Sequence, residues 1–383
     1  MPNTQHALLS SSSANRWLEC PPSAMLEKDL PDTVTEFALE GSAAHAVAEF
    51  KVRKYLGETD LTPPVTGHFN AAEIDRHTDT YLYYVIDRIE EIRKVCSDAL
   101  VLVEQRLDYS SYVKDGFGTG DLVIVADKVI QVIDFKYGQG VPVSAEDNPQ
   151  MKLYALGAIS QYGYLYDIRT VRMSIVQPRL DSISEWETSV DALLYWAEHT
   201  LKPIAEFAAN GKGEFKAGEH CRFCKLRGSC DARADMMLEA VKADFGFAPA
   251  VMSDDRIIEI LSLSSDIQKW LSDVFAYAQA KAISGAKRWN GYKVVESTKK
   301  RRYSDAAAAA NRLLKEGYPL SKLYKQTLIG LTDMKNLLGG DKRMNELIGE
   351  WIVKPKGELI LVPDTDKREE VILSINDDFE EVK

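Results

Sequence analysis

Three of the five cysteines in this 383-residue chain fall within ten residues, as Cys221-Arg222-Phe223-Cys224 followed by five residues and Cys230. A thiolate trio this compact points to a metal or iron–sulfur centre, and a tetrahedral zinc or a cubane cluster each needs a fourth thiolate. A disulfide framework does not fit, because five is an odd and sparse number for one. Of the other two cysteines, Cys20 lies in the polar, turn-like Trp17-Leu18-Glu19-Cys20-Pro21, whereas Cys96 ends an apolar helix and is assigned to the core. With Cys20 as the fourth ligand, the fold must close a loop of about 200 residues.

The rest of the chain can form a core around such a staple. Apolar residues make up 45% and charged residues 27% of the sequence, the balance of a soluble globular protein, which excludes collagen, coiled coil and wholesale disorder. The most apolar region, Leu122 to Phe135, is interrupted by Asp127, Lys128, Gln131 and Asp134, so no membrane span is expected. The opening residues lack a basic segment followed by an apolar one, and the expected location is cytoplasmic. A net charge of −11 argues against a surface that grips nucleic acid all over, but leaves room for a local basic groove.

Hydrophobic periodicity predicts helices over Glu36 to Leu56, with Phe37, Ala44, Val47, Ala48 and Tyr55 on one side and Gly57 as stop, and over Ala71 to Val95. The pattern then changes to short β-branched segments, Leu100 to Leu107, Phe117 to Ala126 and Val129 to Phe135, the last two joined by the tight-hairpin pair Asp127-Lys128. A helix from Gln150 to Gln161, a strand from Arg169 to Gln177 and a helix from Val190 to Ala209 follow. The expected fold class is α/β, an α+β-like mixed sheet flanked by helices, with a mostly helical C-terminal region. That region begins with a long amphipathic helix, Asp254 to Ser284, whose apolar positions are Ile258, Leu261, Trp270, Leu271, Val274 and Phe275, capped by Gly285. We place domains at residues 1–245 and 246–375, with an acidic tail over 376–383.

The hairpin carries the chemistry. Its turn brings Asp121, early in one strand, and Asp134, at the end of the next, to the same end of the hairpin. Two acids that close repel unless a divalent cation lies between them, and oxygen ligands suit Mg²⁺ or Mn²⁺. Lys136, two residues after Asp134, shares its face and is placed to orient or polarise a water. In Glu40-Gly41-Ser42-Ala43-Ala44-His45 small residues precede a histidine on a helix, and Gln150 and Tyr154 form an i, i+4 pair on the helix that follows the hairpin.

Helix GxxxH, strand GxGDLV, strand IDFKYG, helix QxxxY and one distant cysteine with a three-cysteine cluster occur here in the order that resembles the PD-(D/E)XK nuclease superfamily. The likeness is to its iron–sulfur, RecB-like branch, which includes the AddB nuclease domain and CRISPR-associated RecB-type exonucleases, and the serine-rich opening is similar to phage and prophage members. It covers about residues 8–235 and leaves out the C-terminal third. The resemblance implies a nuclease core with an Fe–S staple: His45, Asp121 and Asp134, with the carbonyl of Phe135, as metal ligands; Lys136 as catalytic lysine; Gln150 and Tyr154 lining the active site against DNA. It implies Cys20, Cys221, Cys224 and Cys230 as ligands of a [4Fe–4S] cluster that ties the domain's first residues to its last. Glu104, on the strand before the hairpin, supports the site without being taken as a ligand.

The expected activity is therefore that of a Mg²⁺- or Mn²⁺-dependent DNA exonuclease acting at strand ends in phage recombination or replication, in an infected or prophage-carrying bacterial cell. No GxxxxGK[ST] motif is present, so helicase fusion is not expected. The alternative is a DNA-binding or assembly protein that keeps the fold and cluster without catalysis. Lys299, Lys300, Arg301 and Arg302, near Lys287, Arg288, Trp289 and Tyr303, interleave basic and aromatic residues as a strand-binding surface would. DNA is the expected partner, alongside a phage single-strand-binding or annealing protein, and no membrane.

Overall fold

A computed structural model describes residues 7–31, 35–242, 254–295, 306–315, 319 and 330–352. At its centre is one five-stranded sheet in the order β1 (Leu100–Asp108), β2 (Phe117–Ala126), β3 (Val129–Phe135), β4 (Thr170–Gln177) and β5 (Ser182–Ser189). The first three strands are antiparallel, β4 runs parallel to β3, and β5 returns antiparallel to β4. The parallel step needs a crossover, supplied by helix α5 (Pro149–Tyr162). Asn148 caps that helix by accepting from the Gln150 and Met151 amides, and Pro149 stands where no intrahelical N–H is missed.

Both faces of the sheet are covered, which is why β2 and β3 read as nearly continuous apolar runs. Leu122 and Ile124 point to one core with Ala44, Val47 and Val52 of α3 (Glu36–Tyr55) and Ile74, Val85 and Ile89 of α4 (Ala71–Val95). Val123 and Val125 point to the other, with Trp17 of α1 (Ala14–Glu19) and Met151, Leu153 and Leu156 of α5. The short helix α2 (Ser23–Glu27) lies between the N-terminal turn and α3. Thr35 and Asn70 cap α3 and α4 by accepting from Ala38 and Glu73 amides. Phe37 departs from its expected place, lying 78% exposed at the start of α3.

Strand β5 is an addition to the sequence reading. It is an edge strand whose residues alternate between half-buried and exposed, so Ser182-Ile183-Ser184-Glu185-Trp186-Glu187-Thr188-Ser189 lacks the β-branched density that marks β1 to β4. The helix expected over residues 190–209 is present as α6 (Val190–Trp196) and α7 (Lys202–Ala209) joined by a π turn, Ala197–Leu201. Pro203, without an N–H to donate, follows that turn and accounts for the irregular ladder.

The chain divides into two compact units, Met1–Lys287 and Arg288–Lys383. The first includes α8 (Asp231–Lys242) and the long α9 (Asp254–Ile283), whereas the expected boundary, near residue 245, lies outside the described residues. On α9 the expected apolar face is largely uncovered: Trp270 is buried, but Ile258, Leu261, Leu271 and Phe275 are exposed. Gly285 follows that helix with a φ of 74°, as a glycine stop requires. The second unit contains helices Ala306–Lys315, Leu331–Leu338 and Asp341–Ile348. Lys299, Lys300, Arg301, Arg302 and the acidic tail lie outside the described residues. Among the described residues no helix is long and apolar enough to cross a membrane.

Candidate active site

The hairpin register sets the site. Leu122 pairs with Ile133, which puts Asp121 and Asp134 side by side at the open end, and the Phe135 amide donates to Asp121 Oδ2 at 2.6 Å. The other Asp121 oxygen, Oδ1, lies 3.1 Å from His45 Nδ1 on α3. Phe135 fixes the imidazole from its edge, with ring centroids 5.2 Å apart. Glycines before Asp121 let neighbouring elements close in. A Cβ on Gly118 would overlap Ser11 Oγ and stand 2.8 Å from Tyr154 Cε1, and one on Gly120 would stand 2.9 Å from Leu107 Cδ1.

Glu104 completes the group. Ligand atoms of His45, Glu104 and Asp121 all lie within 4.8 Å of one another, the one such trio among the described residues. The β1–β2 ladder pairs Val103 with Leu122 and Gln105 with Gly120, so Glu104 stands across from Asp121. It does so at a φ of 49°, a left-handed conformation that costs a non-glycine residue on the order of 1–3 kcal/mol. Burial, then the charges of Asp121 and Glu49, push its carboxyl up to about 7, against the pull of His45 and Arg53. Burial opposes the charged form of His45, but the hydrogen bond and charge of Asp121, with Asp134 and Glu104 behind it, outweigh burial and raise its pKa.

Asp134 sits one step aside, 3% exposed, with a different set of partners. Its Oδ1 accepts from Gln150 Nε2 at 3.3 Å. Its Oδ2 lies 2.9 Å from Lys136 Nζ, so the two form a buried charge pair. Burial, against Lys136 and with Asp121, raises its pKa. For Lys136, burial works against the ammonium, but Asp134 and then Asp121 outweigh it and the pKa rises. Gln150 serves both partners, its Oε1 accepting from Lys136 Nζ at 3.1 Å while its Nε2 donates to Tyr154 Oη at 3.0 Å. An open cleft of about 590 Å³ borders this centre, lined by Gly41, Ser42, His45 and Ala46 of α3, with Glu104, Lys136 and Tyr137 opposite.

The fold thus brings His45, Asp121, Asp134, Lys136, Gln150 and Tyr154 together and places Glu104 beside His45 and Asp121. The pairing of β1 with β2 puts Glu104 opposite Asp121, but the positive φ that turns it inward has no sequence signature. A carboxylate pair with an imidazole, and a buried carboxylate beside them, is a donor set suited to Mg²⁺ or Mn²⁺.

Cys20, Cys221, Cys224 and Cys230 line a second cavity, together with Arg16, His220, Arg227 and Arg233, while Cys96 is buried at the end of α4 with its thiol on Asp98. No three of the four thiols approach within the 4.8 Å that the His45 trio meets. Burial raises the Cys20 pKa, and burial with Glu27 pushes Cys224 up to about 12. Burial also opposes the Cys221 thiolate, but the hydrogen bonds of His220 and the Gly218 backbone, with the charges of His220 and Arg233, together outweigh it and lower that pKa. Direct contacts reinforce the closure: Arg16 donates to the Phe223 carbonyl at 3.1 Å and pairs with Glu27 at 2.7 Å, and Glu27 accepts from the Lys225 amide at 2.5 Å.

The family model described as "Protein of unknown function (DUF2800)" matches residues 6–369. Among solved structures, the chain is similar to one titled "Crystal structure of SSO0001", at 15% sequence identity over 56% of this chain and 95% of that one, with a TM-score of 0.22.

Proposed function

The chain belongs to the DUF2800 family of proteins of unknown function, and we propose that it is a divalent-metal-dependent deoxyribonuclease of the PD-(D/E)XK type, acting as an exonuclease at strand ends. The observation that carries this reading is the convergence of His45, Glu104 and Asp121 within 4.8 Å at the edge of an open cleft, with Lys136 held beside Asp134. His45, Asp121 and Glu104, with Asp134 beside them, would hold Mg²⁺ or Mn²⁺. When bound, such an ion neutralises phosphate charge and lowers the pKa of its water ligand. The side chains have separate parts. Lys136, kept as an ammonium by Asp134, donates to a phosphate oxygen and stabilises charge in the transition state rather than removing a proton. Gln150 fixes the direction of Lys136, and Tyr154 fixes Gln150.

Cys20, Cys221, Cys224 and Cys230, which line one cavity, would hold a [4Fe–4S] staple; the alternative at the same four thiols is a tetrahedral zinc.

The test is digestion of end-labelled single- and double-stranded DNA in Mg²⁺, Mn²⁺ or EDTA. Metal-dependent shortening from the ends, lost in Asp121→Ala, is the expected result. Protein that binds DNA but cuts neither substrate in either metal would replace this reading with the non-catalytic binding protein.

A further inference from the structure

Arg179 is a charged residue that the fold encloses behind the cleft wall. It stands in the short turn Pro178–Leu180 between β4 and β5, and its side chain is 11% exposed. Three segments meet on it. Its Nη1 donates to Glu40 Oε2 of α3 at 2.9 Å, its Nη2 donates to Glu73 Oε1 of α4 at 3.1 Å, and its guanidinium carbon lies 4.7 Å from the ring centroid of Tyr137. Tyr137 directly follows Lys136 and is buried in one wall of the cleft, whereas Ala38, Gly41 and Ser42 of α3 line the other. The guanidinium therefore ties the two walls together.

The α3 wall has little else to hold it. The buried side chains of that helix are Ala44, Val47, Ala48 and Val52, so none of them lies in its first two turns. Phe37 and Leu39 there are exposed, and the pair of Glu36 with His68 is open to water on both sides and holds little. The Tyr137 wall is firm by comparison. The Lys136 amide donates to the Val176 carbonyl at 2.9 Å. Gln177, at the end of β4, donates to the Gly138 and Val141 carbonyls at 2.7 and 2.9 Å and accepts from the Val143 amide at 3.1 Å. We infer that Arg179 is a positioning residue that keeps the cleft in its substrate-binding shape, by holding the first turns of α3 against the segment that carries Lys136 and Tyr137. Its effect on DNA rests on the nuclease reading; its effect on α3 does not.

The experiment compares full-length wild type with Arg179→Ala, Arg179→Lys and Glu40→Gln. Arg179→Ala leaves Glu40 and Glu73 as unpaired acids on neighbouring helices, which repel. Amide exchange over residues 40–44 should then quicken about tenfold, with exchange in the β2–β3 hairpin as in wild type. Glu40→Gln removes one charge with little change of shape and should quicken the same amides, so it carries the comparison if Arg179→Ala does not fold. A wall in place about a tenth of the time costs about tenfold in apparent affinity, because substrate binds only the competent fraction, and bound substrate then restores the wall. KM for end-labelled DNA should therefore rise about tenfold in Arg179→Ala, with a much smaller change in kcat at saturation. Arg179→Lys keeps the charge but not the fork that spans both acids, and should fall between Arg179→Ala and wild type. Wild-type exchange over residues 40–44 in Glu40→Gln, or a loss carried by kcat with KM as in wild type, would each overturn the inference. If the wild type cuts no DNA, the nuclease reading fails by itself, and the exchange comparison still decides the hold on α3.

Discussion

At the scale of single residues, position relative to the proposed cation separates the side chains by role. Asp121 contacts His45 and lies in the ligand trio, whereas Lys136 touches only Asp134 and Gln150. Asp121→Ala should abolish Mn²⁺ binding and cleavage together, while Lys136→Ala should keep Mn²⁺ and DNA affinity and lose about 10²–10³-fold in kcat, as expected for one donor to a developing anion. Calorimetric Mn²⁺ titration beside single-turnover cleavage distinguishes the two; equal loss of Mn²⁺ affinity in both variants would reverse the assignment. Glu104 gives a pH signature. Its carboxyl titrates near 7 in the fold against an ordinary 4.5, so the folded state holds a proton that the unfolded chain has released. The Glu104 contribution to metal-free stability is then fully present below about 4.5 and is lost as pH rises to about 7, and the raised His45 adds the same sign as pH passes through its own titration. A cation needs the carboxylate, so its affinity climbs over the same window. In EDTA, Glu104→Gln should lose less melting temperature than wild type between pH 4.5 and 7.5; identical slopes would show that Glu104 is not the titrating group.

At the scale of elements, helix α9 is fastened to the cysteine segment by charge more than by apolar burial. Asp273 bonds Arg227 at 2.9 Å and Arg233 at 2.8 Å, and Gly228 leaves room for the α9 backbone, since a Cβ there would overlap the Asp273 carbonyl. Burial raises the Asp273 pKa, but Arg233 and Arg227 outweigh it and bring it below the ordinary 3.8. The pair therefore adds stability above that value and loses it as pH falls through the lowered pKa. Asp273→Asn should free α9, seen as faster amide exchange in Asp254–Ile283 at neutral pH, with DNA cleavage retained; unchanged exchange would mean that Trp270 alone holds the helix. This docking could not be read in the sequence, where the apolar spacing of α9 pointed to a hydrophobic face that is mostly exposed in the fold. The opposite holds for the hairpin and α5, where a two-residue turn and the proline before Gln150 are local signals that put Asp121, Asp134, Gln150 and Tyr154 within one turn of their places. Strand β5 and the inward turn of Glu104 depend on partners distant in sequence, a polar edge pairing and a left-handed backbone, and neither leaves a local pattern.

At the scale of the whole domain, the proposed metal-held closure between residue 20 and residues 221–230 would be the largest single constraint on the chain. A crosslink over about 200 residues removes on the order of 5 kcal/mol of unfolded-chain entropy, a large part of the 5–15 kcal/mol that ordinarily holds a domain together. The direct contacts of Arg16, Glu27 and Lys225 span the same gap but pair charges whose desolvation offsets much of their attraction. The thiolates should therefore decide folding. Cys20→Ser and Cys221→Ser should lose the bound metal and give poorly soluble protein, because metal binding energy is folding energy at such a site. Cys96, buried on Asp98 at the far end of α4, should tolerate replacement by Ala with metal content intact. Protein purified without oxygen should be brown and carry about four irons per chain. Colourless protein with one zinc per chain would remove the cluster but keep the staple, whereas iron lost from Cys96→Ala and retained in Cys20→Ser would show that the N-terminal cysteine is not a ligand.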